Sequence, residues 1–324
     1  SKALAMASES SLLGVPREDF SLESAMELLQ SSEQATSSAT KVSVEILARP
    51  RLGNVASEVG LDFQWIRDLE FDASIIPIHE SVGGGIAVLD YDLDGWPDAY
   101  FAQGSGDPPT NQCTRSNVLM RNQGGAFSET TFDAKVEDYN YSSGLAAGDV
   151  NQDGFPDLWL GSLGHNRLLI NQGDGTFVEV TEQLGEFKDR FTSSLAIADI
   201  NGDTLPDLFE TNYIAMDGGF VVPGVDEDGK PVLPGPLSHI SGQDRWFENM
   251  GDGSFQMHEI VVEIALPGTS LGIMVTDFDA NGTNEVFVGN DVRANHLFVH
   301  TGDNRFRNTA DARGVANGYE GIAN

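Results

Sequence analysis

One nine-residue acidic pattern recurs four times in this chain, and it fixes both a chemistry and a repeat. Oxygen-bearing side chains stand at its first, third, fifth and ninth positions. They are Asp90, Asp92, Asp94 and Asp98, then Asp149, Asn151, Asp153 and Asp157. They return as Asp199, Asn201, Asp203 and Asp207, and as Asp277, Asp279, Asn281 and Glu285. Gly95, Gly154 and Gly282 hold the sixth position, and the third copy has Thr204 there. A hard cation such as Ca²⁺ takes six to eight oxygens, and a short, sharply turning acidic loop supplies them; Mg²⁺ keeps more of its waters and suits the pattern less. An EF-hand would place a bidentate Glu at position 12 between helices. Position 12 here is Phe101, Leu160, Glu210 and Val288, and the flanks read as strands, so the EF-hand is excluded.

Each copy sits in a larger unit. An apolar run enters the loop (Ile86–Leu89, Leu145–Gly148, Leu195–Ala198, Ile273–Thr276) and another leaves it (Ala99–Phe101, Leu158–Leu160, Leu208–Glu210, Val286–Val288). A hairpin follows, with a short apolar strand, a Gly/Asp/Asn turn and an aromatic residue opening the next strand. The four hairpins are Asn117–Phe127, Asn166–Phe177, Arg245–Phe255 and Asn295–Phe306. Four strands per repeat of about fifty residues predict the blades of a β-propeller. The fold class is therefore all-β, with four acidic-loop blades visible.

The loops begin at 90, 149, 199 and 277, so the last interval holds an insertion, placed at 213–243 and rich in Pro and Gly. Val55–Leu61 resembles Val178–Gly185 and reads as the last strand of a further blade. Gly321–Asn324 aligns with Gly144–Ala147, where a fifth loop would be about to start. The expectation is a longer protein with more blades and further domains. Residues 1–40 differ: Ser21 can cap a helix whose apolar face is Leu22, Ala25, Met26 and Leu29, and 31–40 is a Ser/Thr-rich linker. The organisation read from the sequence is thus 1–40 helix and linker, and 41–324 propeller.

Composition narrows the partners. Among 324 residues, 18 are basic and 50 acidic, a net charge of −32. Phosphate recognition needs basic patches, so nucleic acid and anionic membrane surfaces are poor partners. No apolar run is long enough to span a bilayer. Ala5–Ala7 has the small-x-small form of a signal cleavage site but no apolar stretch before it. Cys113 is the single cysteine, so no internal disulfide forms.

The loops and their Asn-x-Leu…Gly-Asp-Gly-x-Phe hairpins resemble FG-GAP/VCBS repeats, as in integrin α-subunit propellers. The stretch Ser81–Asp90, with Gly173–Phe177, is similar to bacterial proteins carrying an ASPIC/UnbV domain, relatives of cartilage acidic protein. The resemblance covers roughly 50–324. It implies a seven-bladed, calcium-binding propeller that is secreted, at the cell surface or periplasmic. It also implies that the backbone carbonyls of Trp96, Phe155, Leu205 and Thr283, at position 7, complete each shell. Three to four calcium sites are expected. Loop 1, with four carboxylates, should be tightest. Loop 3 should be weakest, because β-branched Thr204 resists the positive φ that glycine supplies.

Two functions fit. One is a calcium-rigidified binding or assembly module of the adhesion type, whose rim loops meet a protein or glycan. The other is a propeller enzyme, either polysaccharide lyase-like, with Arg115, Arg121 and Arg245 as groove candidates, or a redox metalloenzyme using His79, His165, His239, His258, His296 and His300. No nucleophile elbow, P-loop or dinucleotide fingerprint is present. Trp96 and Trp159 read as packing residues of the repeat. The balance favours the binding module.

Overall fold

The computed structural model describes residues 52–66, 78–104, 113–185, 190–216, 224–232, 234–260, 267–302 and 304–317. The expected helix over 21–29, its linker and Gly321–Asn324 lie outside the described residues. Val55–Asn324 groups as one compact unit, to which everything below belongs.

The unit is all-β, a β-propeller of four-stranded blades. Blade 1 is β1 (Ile86–Leu89), β2 (Asp98–Phe101), β3 (Val118–Asn122) and β4 (Phe127–Glu129). Blade 2 is β5 (Ser142–Gly148), β6 (Asp157–Gly164), β7 (Arg167–Asn171) and β8 (Phe177–Glu179). Blade 3 is β9 (Arg190–Ala198), β10 (Asp207–Asn212), β13 (Arg245–Asn249) and β14 (Phe255–Glu259). Between β10 and β13 lies a small hairpin, β11 (Gly224–Val225) and β12 (Pro231–Val232). Blade 4 is β15 (Ser270–Thr276), β16 (Glu285–Asn290), β17 (His296–His300) and β18 (Phe306–Asn308). Within each blade the strands pair antiparallel in chain order. Blades 2 and 3 also share a short pairing, Leu163 with Phe191 and Gly164 with Arg190.

Burial explains the strand sequences. A middle strand is covered on both faces by neighbouring blades, so β6 is buried from end to end. The core is therefore a series of layers between blades. Tyr100 and Leu119 of blade 1 meet Leu158, Leu160 and Phe177 of blade 2. Trp159 and Leu168 meet Leu208 and Phe247 of blade 3. Trp246 and Phe209 meet Val286, Phe298 and Phe306 of blade 4. The aromatic residue that opens the fourth strand belongs to this layering: Phe306 stands edge-on to Trp246 at 5.4 Å, a favourable aromatic geometry. Trp159 and Trp246 are fully buried, and Trp96 is half exposed.

The inner strands β1, β5, β9 and β15 run side by side. They approach so closely that a Cβ on Gly85 would lie 2.5 Å from the Ser143 carbonyl oxygen, and one on Gly144 2.9 Å from the Ser194 Cα. Glycine at these two positions of blades 1 and 2 is thus a packing requirement.

Two expectations change. Val55–Leu61 is a hydrogen-bonded turn, Leu61 N–H donating to the Ala56 carbonyl, and not a strand. It corresponds to the turn that closes a blade: Val59 O accepts from Phe127 N, as Ala134 O of blade 1 accepts from Phe177 N of blade 2. The sequence similarity to Val178–Gly185 was carried by the turn half of that segment. The insertion leaves blade 3 at the end opposite its acidic loop and is more than a loop, since an Ile214–Ser241 bridge closes its base below the β11–β12 hairpin.

Candidate metal loops

Each acidic pattern joins the first strand of its blade to the second, and each folds the same way. The position-1 carboxylate gathers the turn. Asp90 accepts from Asp94 N at 3.0 Å and Gly95 N at 2.9 Å. Asp149 accepts from Asp153 N and Gly154 N, and Asp277 from Asn281 N and Gly282 N. In loop 3 Asp199 takes Gly202 N and Thr204 N. The position-5 side chain accepts from the N–H of position 7, at Trp96, Phe155, Leu205 and Thr283. These bonds need two left-handed residues per loop. Leu93, Gln152, Gly202 and Ala280 supply the first, and Gly95, Gly154, Thr204 and Gly282 the second. Thr204 carries its φ of 77° without glycine's freedom, so loop 3 holds backbone strain.

The position-9 residues Asp98, Asp157, Asp207 and Glu285 are fully buried. They tie the loop to the sheet. Asp157 accepts from Val150 N at 2.8 Å and Asn171 N at 2.9 Å, and Asp98 and Asp207 repeat this. Burial pushes the carboxyls of Asp98, Asp157 and Asp207 up to about 6, and the neighbouring loop carboxylates add to it.

The loops then divide into two kinds. In loop 1, Asp90, Asp92 and Asp98 bring carboxylate oxygens within 4.8 Å of one another, and in loop 4 Asp277, Asp279 and Glu285 do so. Each cluster contains a buried oxygen without a hydrogen-bond partner, Asp92 Oδ1 in one and Glu285 Oε1 in the other. Loops 2 and 3 have asparagine at position 3. There the Asn151 amide donates to Asp153 at 2.9 Å and the Asn201 amide to Asp203 at 3.0 Å, closing each loop on itself. Arg121 lies on Asp92 and Asp94, and Arg313 on Asp279.

The histidines stand elsewhere. His296 is buried beside Phe298, and burial pulls its imidazole down to about 4. His258 stacks on Trp246 and meets Glu248 at 3.0 Å, and His300 flanks the same tryptophan. His79 is edge-on to Tyr141. Among the described residues, the groups able to hold a metal contain carboxylates alone. Of the groove candidates, Arg245 is buried and paired with Glu210, so it faces no groove.

Sequence reasoning overlooked the ties between blades, although most of their residues stand just before or at the end of a third strand. Asn117, Asn166, Asp244 and Asn295 each accept from a backbone N–H at or near the end of the second strand, those of Gln103, Ser162, Asn212 and Asn290. The first three also reach the inner strand of the next blade, at Ser142, Thr192 and Ser270. At the far end of the strand, Asn171 donates to the Tyr91 carbonyl and Asn249 to the Val150 carbonyl, both in the preceding blade's acidic loop. In blade 4 Asn284 takes over, donating to the Asp199 carbonyl at 2.7 Å. The acidic loops are thus linked to one another through the blade ends.

The FG-GAP-like repeat family model matches residues 90–160 and 149–209. The matched stretch runs from loop 1 through blade 2 into the second strand of blade 3, and it is similar to FG-GAP-like repeats. No curated protein matches the chain in sequence. Among solved structures, an Agrocybe aegerita lectin described for specific recognition of non-reducing terminal N-acetylglucosamine is 16% identical, with a TM-score of 0.31 over 69% of this chain and 64% of that one. The Tc holotoxin pore of Photorhabdus luminescens is also 16% identical, with a TM-score of 0.30 over 72% of this chain and 9% of that one. The chain therefore spans less than two thirds of either structure.

Proposed function

We propose that this propeller, carrying FG-GAP-like repeats, is a calcium-binding module whose ions rigidify the blade loops and whose rim presents a surface to a protein or glycan. The reading rests on one observation above all. Loops 1 and 4 each converge three carboxylates around a buried oxygen that no protein group satisfies. A buried, unpartnered carboxylate oxygen is costly, and a cation removes the cost. An all-oxygen donor set selects a hard cation over zinc or copper. Asp90, Asp92, Asp94 and Asp98, and Asp277, Asp279, Asn281 and Glu285, would hold the ion. The position-7 carbonyls of Trp96 and Thr283 would supply further oxygens.

Loops 2 and 3 complete the expected set as weaker sites, through Asp149, Asn151, Asp153, Phe155 and Asp157, and through Asp199, Asn201, Asp203, Leu205 and Asp207. Loop 3 comes last in this reading, because its non-glycine residue at positive φ, Thr204, is β-branched, whereas those of the other loops are Leu93, Gln152 and Ala280. A secreted, cell-surface or periplasmic location and kinship to the ASPIC/UnbV proteins, with seven blades in a complete ring, belong to the same proposal. Calcium at millimolar levels outside cells would keep such loops filled.

Elemental mass spectrometry of natively purified protein is the test. Two to four calcium ions per chain, with a melting temperature that falls in chelator and not in matched salt, support the reading. A stoichiometric transition metal would overturn it and point to the histidines. So would melting that ignores both chelator and added calcium.

A further inference from the structure

The two loops with a carboxylate at position 3 are also the two that carry a guanidinium. Arg121 Nη2 lies 2.6 Å from Asp92 Oδ2 and 3.2 Å from Asp94 Oδ2. Arg313 Nη2 lies 2.7 Å from Asp279 Oδ2. Loops 2 and 3, with Asn151 and Asn201 at that position, have no cationic side chain on them among the described residues.

The two arginines are not a feature of the repeat. Arg121 projects from β3, where blades 2 and 3 have Ile170 and Glu248. Arg313 comes from the turn that follows β18, where the equivalent turns of blades 1 and 2 place the buried Ala134 and Leu184. Different elements deliver the same group to the same atom of two equivalent loops.

We propose that Arg121 and Arg313 are built-in counter-ions that a divalent cation must displace, and that they set the affinity and the divalent-over-monovalent selectivity of loops 1 and 4. The inference rests on the cation-binding reading above. A Ca²⁺ ion sits 2.3–2.6 Å from its ligand oxygens and takes carboxylates in one- or two-oxygen fashion; Asp92 Oδ1 is unpartnered, and Arg121 Nη2 holds the second oxygen, Oδ2, so the guanidinium competes with an ion for the same carboxylate. Without an ion the guanidinium offsets the repulsion among crowded carboxylates. A monovalent ion exchanges one positive charge for another and gains little. A divalent ion replaces one charge with two, which the four carboxylates of loop 1 reward. Once released, Arg121 remains in the cleft between blades 1 and 2, which it lines with Asp133 and Asp174. Those carboxylates receive it.

Terbium luminescence excited through Trp96 isolates loop 1, because Trp96 is the one tryptophan within an acidic loop. Terbium and competing calcium titrations of wild type, Arg121→Gln and Arg313→Gln are compared, with thermal melting in NaCl as the second readout. Removing a partly exposed arginine pairing is expected to tighten loop 1 roughly three- to tenfold in Arg121→Gln. Arg313→Gln should leave the Trp96 signal unchanged while tightening a calorimetric calcium site by a similar factor. Both variants should gain stabilisation by NaCl that wild type lacks. Wild-type binding with equal or weaker binding in both variants overturns the proposal and leaves the calcium reading intact. No binding by any of the three proteins overturns both. The two variants perturb different elements, so a folding defect in one leaves the other decisive.

Discussion

Asp244→Asn probes the tie between blades 3 and 4. Asp244 holds the position that Asn117, Asn166 and Asn295 hold in the other blades. Its Oδ1 accepts from the Asn212 N–H at 2.8 Å, and its Oδ2 accepts from the Ser270 hydroxyl at 3.0 Å. Burial, reinforced by the Glu210 carboxylate, pushes its carboxyl up from 3.8 to about 7. The folded state therefore holds this proton more tightly than the unfolded chain. That contribution to stability is fully present below about pH 4 and is lost as pH rises through 7. Each pH unit within the window is worth about 1.4 kcal/mol, so the loss from pH 4 to 7 approaches ~4 kcal/mol. Asparagine keeps an acceptor for Asn212 and offers its amide to the Ser270 oxygen, with no charge to bury. Urea midpoints in calcium-free buffer should place the variant within about 1 kcal/mol of wild type at pH 4.5 and up to about 4 kcal/mol above it at pH 8. Equal differences at the two pH values, or a less stable variant at pH 8, would refute the reasoning.

Two further substitutions test the loops. Thr204→Gly should relieve the left-handed strain of loop 3 and raise stability by about 1 kcal/mol, read as a higher melting temperature. A lower melting temperature would show that the threonine side chain does something the hydrogen bonds do not record. Asn249→Ala should cost more than Asn122→Ala by about 1 kcal/mol in denaturant titrations. Both asparagines donate to the proline carbonyl of their own loop, but Asn249 also reaches Val150 in the preceding blade. Equal costs would remove the inter-blade tie from the account.

The repeat was legible because it is local. Strand, acidic loop, strand and hairpin follow one another within about fifty residues, and each boundary is marked by Gly, Asp or Asn. The left-handed position 6 could be read from three glycines, and Thr204 then adopts it as an exception. Val55–Leu61 was misread because its similarity to blade 2 lies in the turn, where strand and turn residues share the same apolar spacing. Position 9 was legible as an oxygen donor. Its second task, receiving the backbone N–H of Asn122, Asn171 or Asn249, joins residues far apart in the chain and leaves no local mark.

The sequence alone determined the fold class, the number of acidic loops and the oxygen chemistry of each, because periodicity and donor type are properties of short segments. The tertiary structure decided which loops are alike. It separated loops 1 and 4, with a buried unpartnered oxygen and a guanidinium on the position-3 carboxylate, from loops 2 and 3, which close on their own amides. Arg121 reaches its loop from a strand 27 residues onward and Arg313 from a turn 34 residues onward. Charge neutralisation acts through space, and only the folded chain fixes which charges are neighbours.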